Sequence, residues 1–231
     1  MLSQVMTKYG ALEGVSLDSG CSLYRGVPYA APPVGELRFR PPQPPVPWDG
    51  VRKCDQWGAA CPQEPSNHPK SPYSVEFYSG QDYPPRMDED CLFLNIWTPA
   101  KSADDRLPVM LWLHGGGVQN GYSHEMEFDG EALAKRGVIL ITANYRLNIF
   151  GFFAHPLLTA ESGHHACGNY GIMDQIQALR WIKENIGAFG GDPDNVTIFG
   201  ESAGSASVTF LPLIDGSEGL FKRIIAQSAN I

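Results

Sequence analysis

Short apolar runs separated by glycine-containing turns dominate the chain from Leu92 onward. Five of these runs are continuous rather than alternating in polarity, which is typical of β-strands covered on both faces. They are LFLNIW at Leu92–Trp97, VMLWLH at Val109–His114, VILITANY at Val138–Tyr145, VTIFG at Val196–Gly200 and RIIAQSA at Arg223–Ala229.

One amphipathic helix is predicted between the third and fourth of these strands. Apolar residues recur there at helical spacing, polar residues fill the positions between them, and glycines follow the last of them. Strands that alternate with helices in this order predict an open, mostly parallel α/β sheet. The apolar positions of the helix are Ile172, Ile176, Leu179, Ile182 and Ile186.

The first hundred residues differ in composition, because fifteen of the 19 prolines precede residue 100, including the run PPQPPVPW at Pro41–Trp48. Proline cannot donate to a sheet ladder and fixes φ. We therefore expect turns, short edge strands and surface loops in this part. The whole chain, residues 1–231, is interpreted as the N-terminal portion of one domain.

Composition and charge exclude several classes of partner. The formal net charge is −8 and no cluster of Lys and Arg is visible, so a nucleic-acid partner is not expected. The longest apolar stretches are too short for a membrane span. The segment Met1–Gly10 lacks the apolar core of a secretory signal. We expect a cytoplasmic protein if Met1 is the native start, and a secreted or periplasmic one if a signal peptide was removed.

A nucleophile motif follows the fourth strand. GESAG at Gly200–Gly204 comes after VTIF and before a run of small residues that can begin a helix. This is the G-x-S-x-G motif in the strand–turn–helix setting that exposes a serine hydroxyl. The motif also occurs by chance in loops of small residues. Ser202 is the candidate nucleophile.

A second motif, HGGG at His114–Gly117, follows the strand VMLWL. Glycines there let backbone N–H groups face a ligand. In hydrolases that carry the G-x-S-x-G motif, also called the nucleophile elbow, such a loop supplies oxyanion donors. A phosphate-binding turn is the alternative, but no nucleotide-binding glycine motif accompanies it. His114 is interpreted as a hydrogen-bonding residue that orients the loop.

Together these motifs resemble the type-B carboxylesterase family, which includes cholinesterases and bacterial p-nitrobenzyl-type esterases. The similarity covers practically the whole chain and implies the α/β-hydrolase fold, with Ser202 as nucleophile and no cofactor. The segments that carry it are YRGVPYAAPPVGELRFRPPQPP at Tyr24–Pro45, EDCLFLNIWTP at Glu89–Pro99, NYRLNIFGF at Asn144–Phe152, GNYGIMDQIQALRWIKENI at Gly168–Ile186 and FGGDPDNVTIFGESAG at Phe189–Gly204.

The resemblance also implies roles for neighbouring residues. It implies oxyanion donors at Gly116, Gly117 and Ala203. Glu201 matches the elbow of the family, either as an electrostatic neighbour of the site or as a buried, hydrogen-bonded acid.

A disulfide between Cys61 and Cys91 is likewise implied by the resemblance. In a reducing compartment the two would instead remain buried thiols.

The expected general base is missing from the sequence as given. In α/β-hydrolases an acid and then a histidine follow the serine, yet the 29 residues after Ser202 contain no histidine. An upstream histidine that acts as the base is the alternative. A metal site formed by His155, His164, His165 and Cys167 is not expected, because their spacing matches no zinc template. The remaining upstream histidines are His68, His114 and His124.

We therefore expect the N-terminal half of a longer esterase, with a sheet that stops after about the sixth core strand and exposes an edge. Possible partners of that edge are a complementary C-terminal half or a second copy of the chain, and the chain alone would be inactive.

A neutral carboxylic ester is the expected substrate. The segment between Cys61 and Cys91 contains no tryptophan, the best partner for a quaternary ammonium group, which disfavours choline esters. A non-catalytic interaction protein on the same fold is the alternative function. The aromatic residues of this segment are Tyr73, Phe77, Tyr78 and Tyr83.

Overall fold

The computed structural model describes residues 2–64, 85–163 and 165–228. Ten strands occur in these residues: β1 (Gln4–Thr7), β2 (Gly10–Glu13), β3 (Val15–Ser16), β4 (Ser22–Pro28), β5 (Val51–Lys53), β6 (Phe93–Thr98), β7 (Leu107–Leu113), β8 (Ile139–Ala143), β9 (Gly191–Glu201) and β10 (Arg223–Gln227).

Five α-helices accompany these strands in the same residues: α1 (Glu131–Ala134), α2 (Asn148–Phe152), α3 (Pro156–Glu161), α4 (Tyr170–Asn185) and α5 (Ala203–Phe210). Short 3₁₀ segments lie at Gly35–Leu37, Ala103–Asp105, Met126–Phe128, Ile186–Phe189 and Leu211–Leu213. No helix in the part of the chain described here is long and apolar enough to cross a bilayer.

The main sheet contains seven of the described strands in the order β10-β9-β7-β8-β6-β4-β3. Its first four strands run parallel, and β6, β4 and β3 continue it by antiparallel pairing. The sheet is therefore mixed, with a parallel half that matches the prediction. Strands β1, β2 and β5 form a separate three-stranded sheet.

All five strands and the helix predicted from the apolar runs are present. The only large difference in bounds is β9, which begins at Gly191. Strand β10 is the exception to predicted burial, since all its residues are exposed, with Ile224 at 41% and Ile225 at 44%. Among the described strands it is the outermost one on its side of the sheet, which agrees with the exposed edge expected from the sequence.

The main core lies on one face of the sheet, between its central strands and α4. Alternate residues of each strand point to the same face, so Val109 and Leu111 of β7 join Ile141 of β8 in one buried cluster. Leu179 and Ile182 of α4 belong to that cluster. This packing fixes the carboxyl ends of the parallel strands, where both chemical motifs begin.

Candidate active site

The HGGG and GESAG motifs start side by side at the carboxyl ends of the parallel strands. Strands β7 and β9 are parallel neighbours, and Leu113 pairs with Gly200 in register. Because the carboxyl ends of parallel neighbours meet at the same edge, the HGGG segment and the GESAG segment leave the sheet next to each other. Ligands of open α/β sheets bind at this edge.

Ser202 sits in the turn between β9 and α5 with φ 53° and ψ −118°. A residue other than glycine in such a sparsely populated region costs about 1–3 kcal/mol, which the surroundings must offset. Two hydrogen bonds hold it: the Ser202 N–H donates to Gln227 O at 3.0 Å, and Ala206 N–H donates to Ser202 O at 3.0 Å. The side chain is left exposed, as the elbow motif predicts.

Close backbone contact explains the glycines of the elbow. A Cβ on Gly204 would overlap Leu113 O and lie 2.8 Å from His114 O. A Cβ on Gly200 would lie 2.7 Å from Leu113 O. Helix α5 can therefore cross the end of β7 only when these positions carry no side chain.

We call residues 115–121 the glycine loop. A Cβ on Gly115 would lie 3.1 Å from Ser202 Cβ, so this loop runs directly beside the serine. Gly116 and Gly117 adopt φ of 94° and 61° and are exposed. Neither donates its backbone N–H to another described residue. Ala203 begins α5, where helix geometry provides no intrahelical acceptor for the N–H.

His114 is completely buried at the end of β7. Its Nδ1–H donates to Gly115 O at 2.9 Å, and its ring stacks on Tyr145 with centroids 4.5 Å apart. Burial lowers the pKa of His114 to about 4, against a smaller opposing effect of that hydrogen bond. The ring is therefore neutral at pH 7, and its hydrogen bond to Gly115 O fixes the first residue of the glycine loop.

Glu201, the last residue of β9, is half-buried against the glycine loop. Its Oε2 would lie 3.0 Å from a Cβ placed on Gly115. The carboxylate thus lies one residue from the serine and beside the loop.

Two side chains that sequence analysis did not single out also contact the glycine loop. Gln63 hydrogen-bonds to both backbone groups of Gly121, and Asn148 donates its side-chain Nδ2 to Gln119 O and its backbone N–H to Val118 O. Asn148 carries a weak sequence signal, since asparagine tolerates the left-handed conformation it adopts here with φ 44°. No motif or spacing in the sequence around Gln63 indicates its contact with the glycine loop.

Cys61 and Cys91 are both free, buried thiols in the structure, so the disulfide implied by the family resemblance is not formed here. The neighbouring Cys91 thiol lowers the pKa of Cys61, whereas Cys61 together with burial raises the pKa of Cys91. Leu147 N–H donates to Cys61 Sγ at 3.3 Å. Both thiols belong to the main buried cluster.

Two of the other described histidines have structural partners, whereas His165 is exposed. His155 Nδ1 accepts a hydrogen bond from Leu157 N–H at the start of α3, and His124 stacks on Trp57. Among residues 2–64, 85–163 and 165–228 no group of three or more His, Cys, Asp or Glu could hold a metal ion. Outside the described residues lie His68, His164, Tyr73, Phe77, Tyr78 and Tyr83.

Comparison with known proteins identifies the family of this chain. The model of the carboxylesterase family matches residues 2–231. The chain belongs to this family. The fumonisin B1 esterase of Sphingopyxis macrogoltabida and the para-nitrobenzyl esterase of Bacillus subtilis are each 42% identical to it over 225 residues, 97% of the chain. The chain spans 39% and 43% of these carboxylesterases, or about two fifths of their length.

Solved carboxylesterase structures confirm the predicted α/β-hydrolase fold. A thermophilic p-nitrobenzyl esterase superposes with a TM-score of 0.87 at 40% identity, covering 99% of this chain and 44% of its own. The carboxylesterase of Geobacillus stearothermophilus gives a TM-score of 0.83 at 44% identity, covering 96% of this chain and 42% of its own.

Proposed function

We propose that this chain contains the nucleophile, Ser202, and the oxyanion-binding loop of a carboxylic-ester hydrolase that works through an acyl-enzyme. The observation that carries this proposal is the backbone of Ser202, which holds the hydroxyl exposed in a strained turn. The glycine loop lies beside that turn, and its Gly116 and Gly117 N–H groups donate to no residue in the part of the chain that the structure describes. A strained residue of this kind is common at active sites.

The chemistry follows from these positions. Ser202 Oγ attacks the ester carbonyl and forms a C–O bond, while the carbonyl oxygen becomes an oxyanion. The N–H groups of Gly116, Gly117 and Ala203 are the proposed donors to that oxyanion. The alcohol then leaves with a proton, and water hydrolyses the acyl-enzyme to release the acid and regenerate the serine.

The proton acceptor of Ser202 is proposed to come from polypeptide outside these 231 residues. A serine hydroxyl is a weak nucleophile without a base. Losing the base of a serine hydrolase costs roughly a factor of 10⁶ in kcat. We therefore expect the 231 residues alone to hydrolyse esters at no more than a small residual rate.

A neutral carboxylic ester is the proposed substrate class. Two of the related proteins are named fumonisin B1 esterase and para-nitrobenzyl esterase. A neutral ester is favoured because the sequence between Cys61 and Cys91 contains no tryptophan to bind a quaternary ammonium group. These names, and the family match, favour a hydrolase over the non-catalytic interaction protein.

A chimera tests this function. Residues 2–231 replace the matching segment of the Bacillus subtilis para-nitrobenzyl esterase, and hydrolysis of a p-nitrophenyl ester is followed in a folded sample. We expect activity, with Ser202→Ala abolishing it and Ser16→Ala, an exposed serine of β3, leaving it intact. A folded chimera whose activity survives Ser202→Ala would refute the proposed nucleophile.

A further inference from the structure

The glycine loop is largely exposed and contains two hydrogen bonds of its own, from Gln119 N–H and Asn120 N–H to Gly116 O, so contacts from outside also contribute to its shape. Gly116, Gly117, Gln119 and Asn120 are all exposed and contribute little packing. Val118 adopts φ 56°, a left-handed conformation that is unusual for a β-branched residue. Hydrogen bonds must therefore fix a segment that its own conformational preferences would release.

Gln63 binds both backbone groups of the last residue of this loop. Gly121 N–H donates to Gln63 Oε1 at 2.7 Å, and Gln63 Nε2 donates to Gly121 O at 3.0 Å. The same Nε2 donates to Cys61 O at 3.0 Å, which orients the amide from its own side of the chain. One half-buried side chain thus clamps the peptide that ends the loop.

Asn148 holds the middle of the loop and joins it to the segment before Gln63. Asn148 N–H donates to Val118 O at 2.7 Å, at the strained residue itself. Its Nδ2 donates to Pro62 O at 2.8 Å and to Gln119 O at 3.3 Å. The glycine loop and residues 61–63 are therefore tied into one unit.

We propose that Gln63 is a positioning residue for ester hydrolysis, which fixes the free N–H groups of Gly116 and Gly117 beside Ser202. This inference rests on the proposed function. Gln63 does not touch the reacting atoms and acts through Gly121. Oxyanion donors stabilise a developing charge only when they are held in place beforehand, because reorganising them during reaction costs energy.

The expected effect is a slower chemical step with unchanged binding. Removing one oxyanion donor outright costs about 10²–10³ in rate, so loosening two donors without removing them is expected to cost roughly tenfold. Gln63→Met keeps the length of the side chain and loses both hydrogen-bonding groups. Gln43→Met is the matched control, since exposed Gln43 also donates to a carbonyl two residues earlier but does not contact the loop.

The experiment measures covalent labelling by a fluorophosphonate of the chimera with the Bacillus subtilis esterase, which supplies the missing base, with binding and reaction constants separated. We expect Gln63→Met to lower the maximal labelling rate about tenfold at unchanged probe affinity, and Gln43→Met to change neither. Hydrogen exchange of the peptide containing residues 115–121 should accelerate in Gln63→Met alone. Equal labelling and equal exchange in the two variants would overturn the proposal.

Gln63→Glu provides a second variant in case the methionine variant misfolds. Ionised glutamate still accepts from Gly121 N–H but cannot donate to Gly121 O, whereas the protonated acid can donate again. The labelling rate relative to the unsubstituted chimera should therefore rise as pH falls from about 6 to about 4, because the usual pKa of a glutamate is about 4.3. A ratio that is independent of pH would contradict the clamp.

Failure of the proposed function would look different. If Ser202 of the folded chimera is not labelled at all, the hydrolase proposal fails, and hydrogen exchange still decides whether Gln63 holds the loop.

Discussion

Replacing Asp174 by asparagine is expected to destabilise the fold strongly, because it strips a buried arginine of its charge partner. Arg146 Nε and Nη2 donate to the two carboxylate oxygens of Asp174 at 2.8 and 2.7 Å, and Arg146 N–H donates to Oδ2 at 3.0 Å. The side chains are only 3% and 0% exposed. This pair fixes the segment that leads from β8 to Asn148 and the glycine loop.

The magnitude follows from the burial. Removing one partner of a buried ion pair costs about 3–5 kcal/mol, because the remaining charge stays desolvated. With a urea m-value near the upper end of about 1–3 kcal/mol/M, the unfolding midpoint should fall by roughly 1–2 M. The assay is urea unfolding followed by tryptophan fluorescence and circular dichroism.

Two further variants test whether the loss of stability comes from the desolvated charge of Arg146. Asp194→Asn breaks the exposed pair of Asp194 with Lys183, whose side chains are 70% and 37% exposed, and should leave the midpoint unchanged. Combining Arg146→Met with Asp174→Leu should recover much of the loss, since no lone charge remains. If Asp174→Asn shifts the midpoint no more than Asp194→Asn does, the reasoning about desolvation is wrong.

Three further predictions follow from the site. Gly204→Ala should prevent formation of the elbow and abolish fluorophosphonate labelling, whereas Gly187→Ala, which adds a Cβ in open space, should not; labelling of both variants checks this. Oxidised glutathione should convert Cys61 and Cys91 to a disulfide before Cys21 reacts, as non-reducing peptide mapping would show. The folded state keeps His114 neutral down to about pH 4, so stability should fall as pH drops from 6.5 towards 4, and this fall should be smaller in His114→Gln in urea unfolding.

Much of the fold could be predicted because its signals are local. The continuous apolar runs identified β6 to β10, and helical spacing identified α4. The exposure of β10 contradicts the local rule, because burial depends on what packs against a strand rather than on its own residues. The antiparallel half of the sheet was not predicted for a related reason, since strand direction depends on connections through the proline-rich segment.

The candidate site divides in the same way. Ser202 and the glycines were found because short backbone constraints leave short motifs. Gln63 was not found because it acts on Gly121, 58 residues later, through a contact that leaves no periodicity. The state of Cys61 and Cys91 depends on the redox potential around the protein as well as on geometry.

Site-mapped labelling of Ser202 tests the central claim most directly. The folded chimera with the Bacillus subtilis esterase, which supplies the base, is treated with a fluorophosphonate and the modified peptide is identified by mass spectrometry. A single adduct on Ser202, absent from Ser202→Ala, is the expected result. A folded chimera that carries no adduct, or carries it on another serine, would contradict the proposed nucleophile.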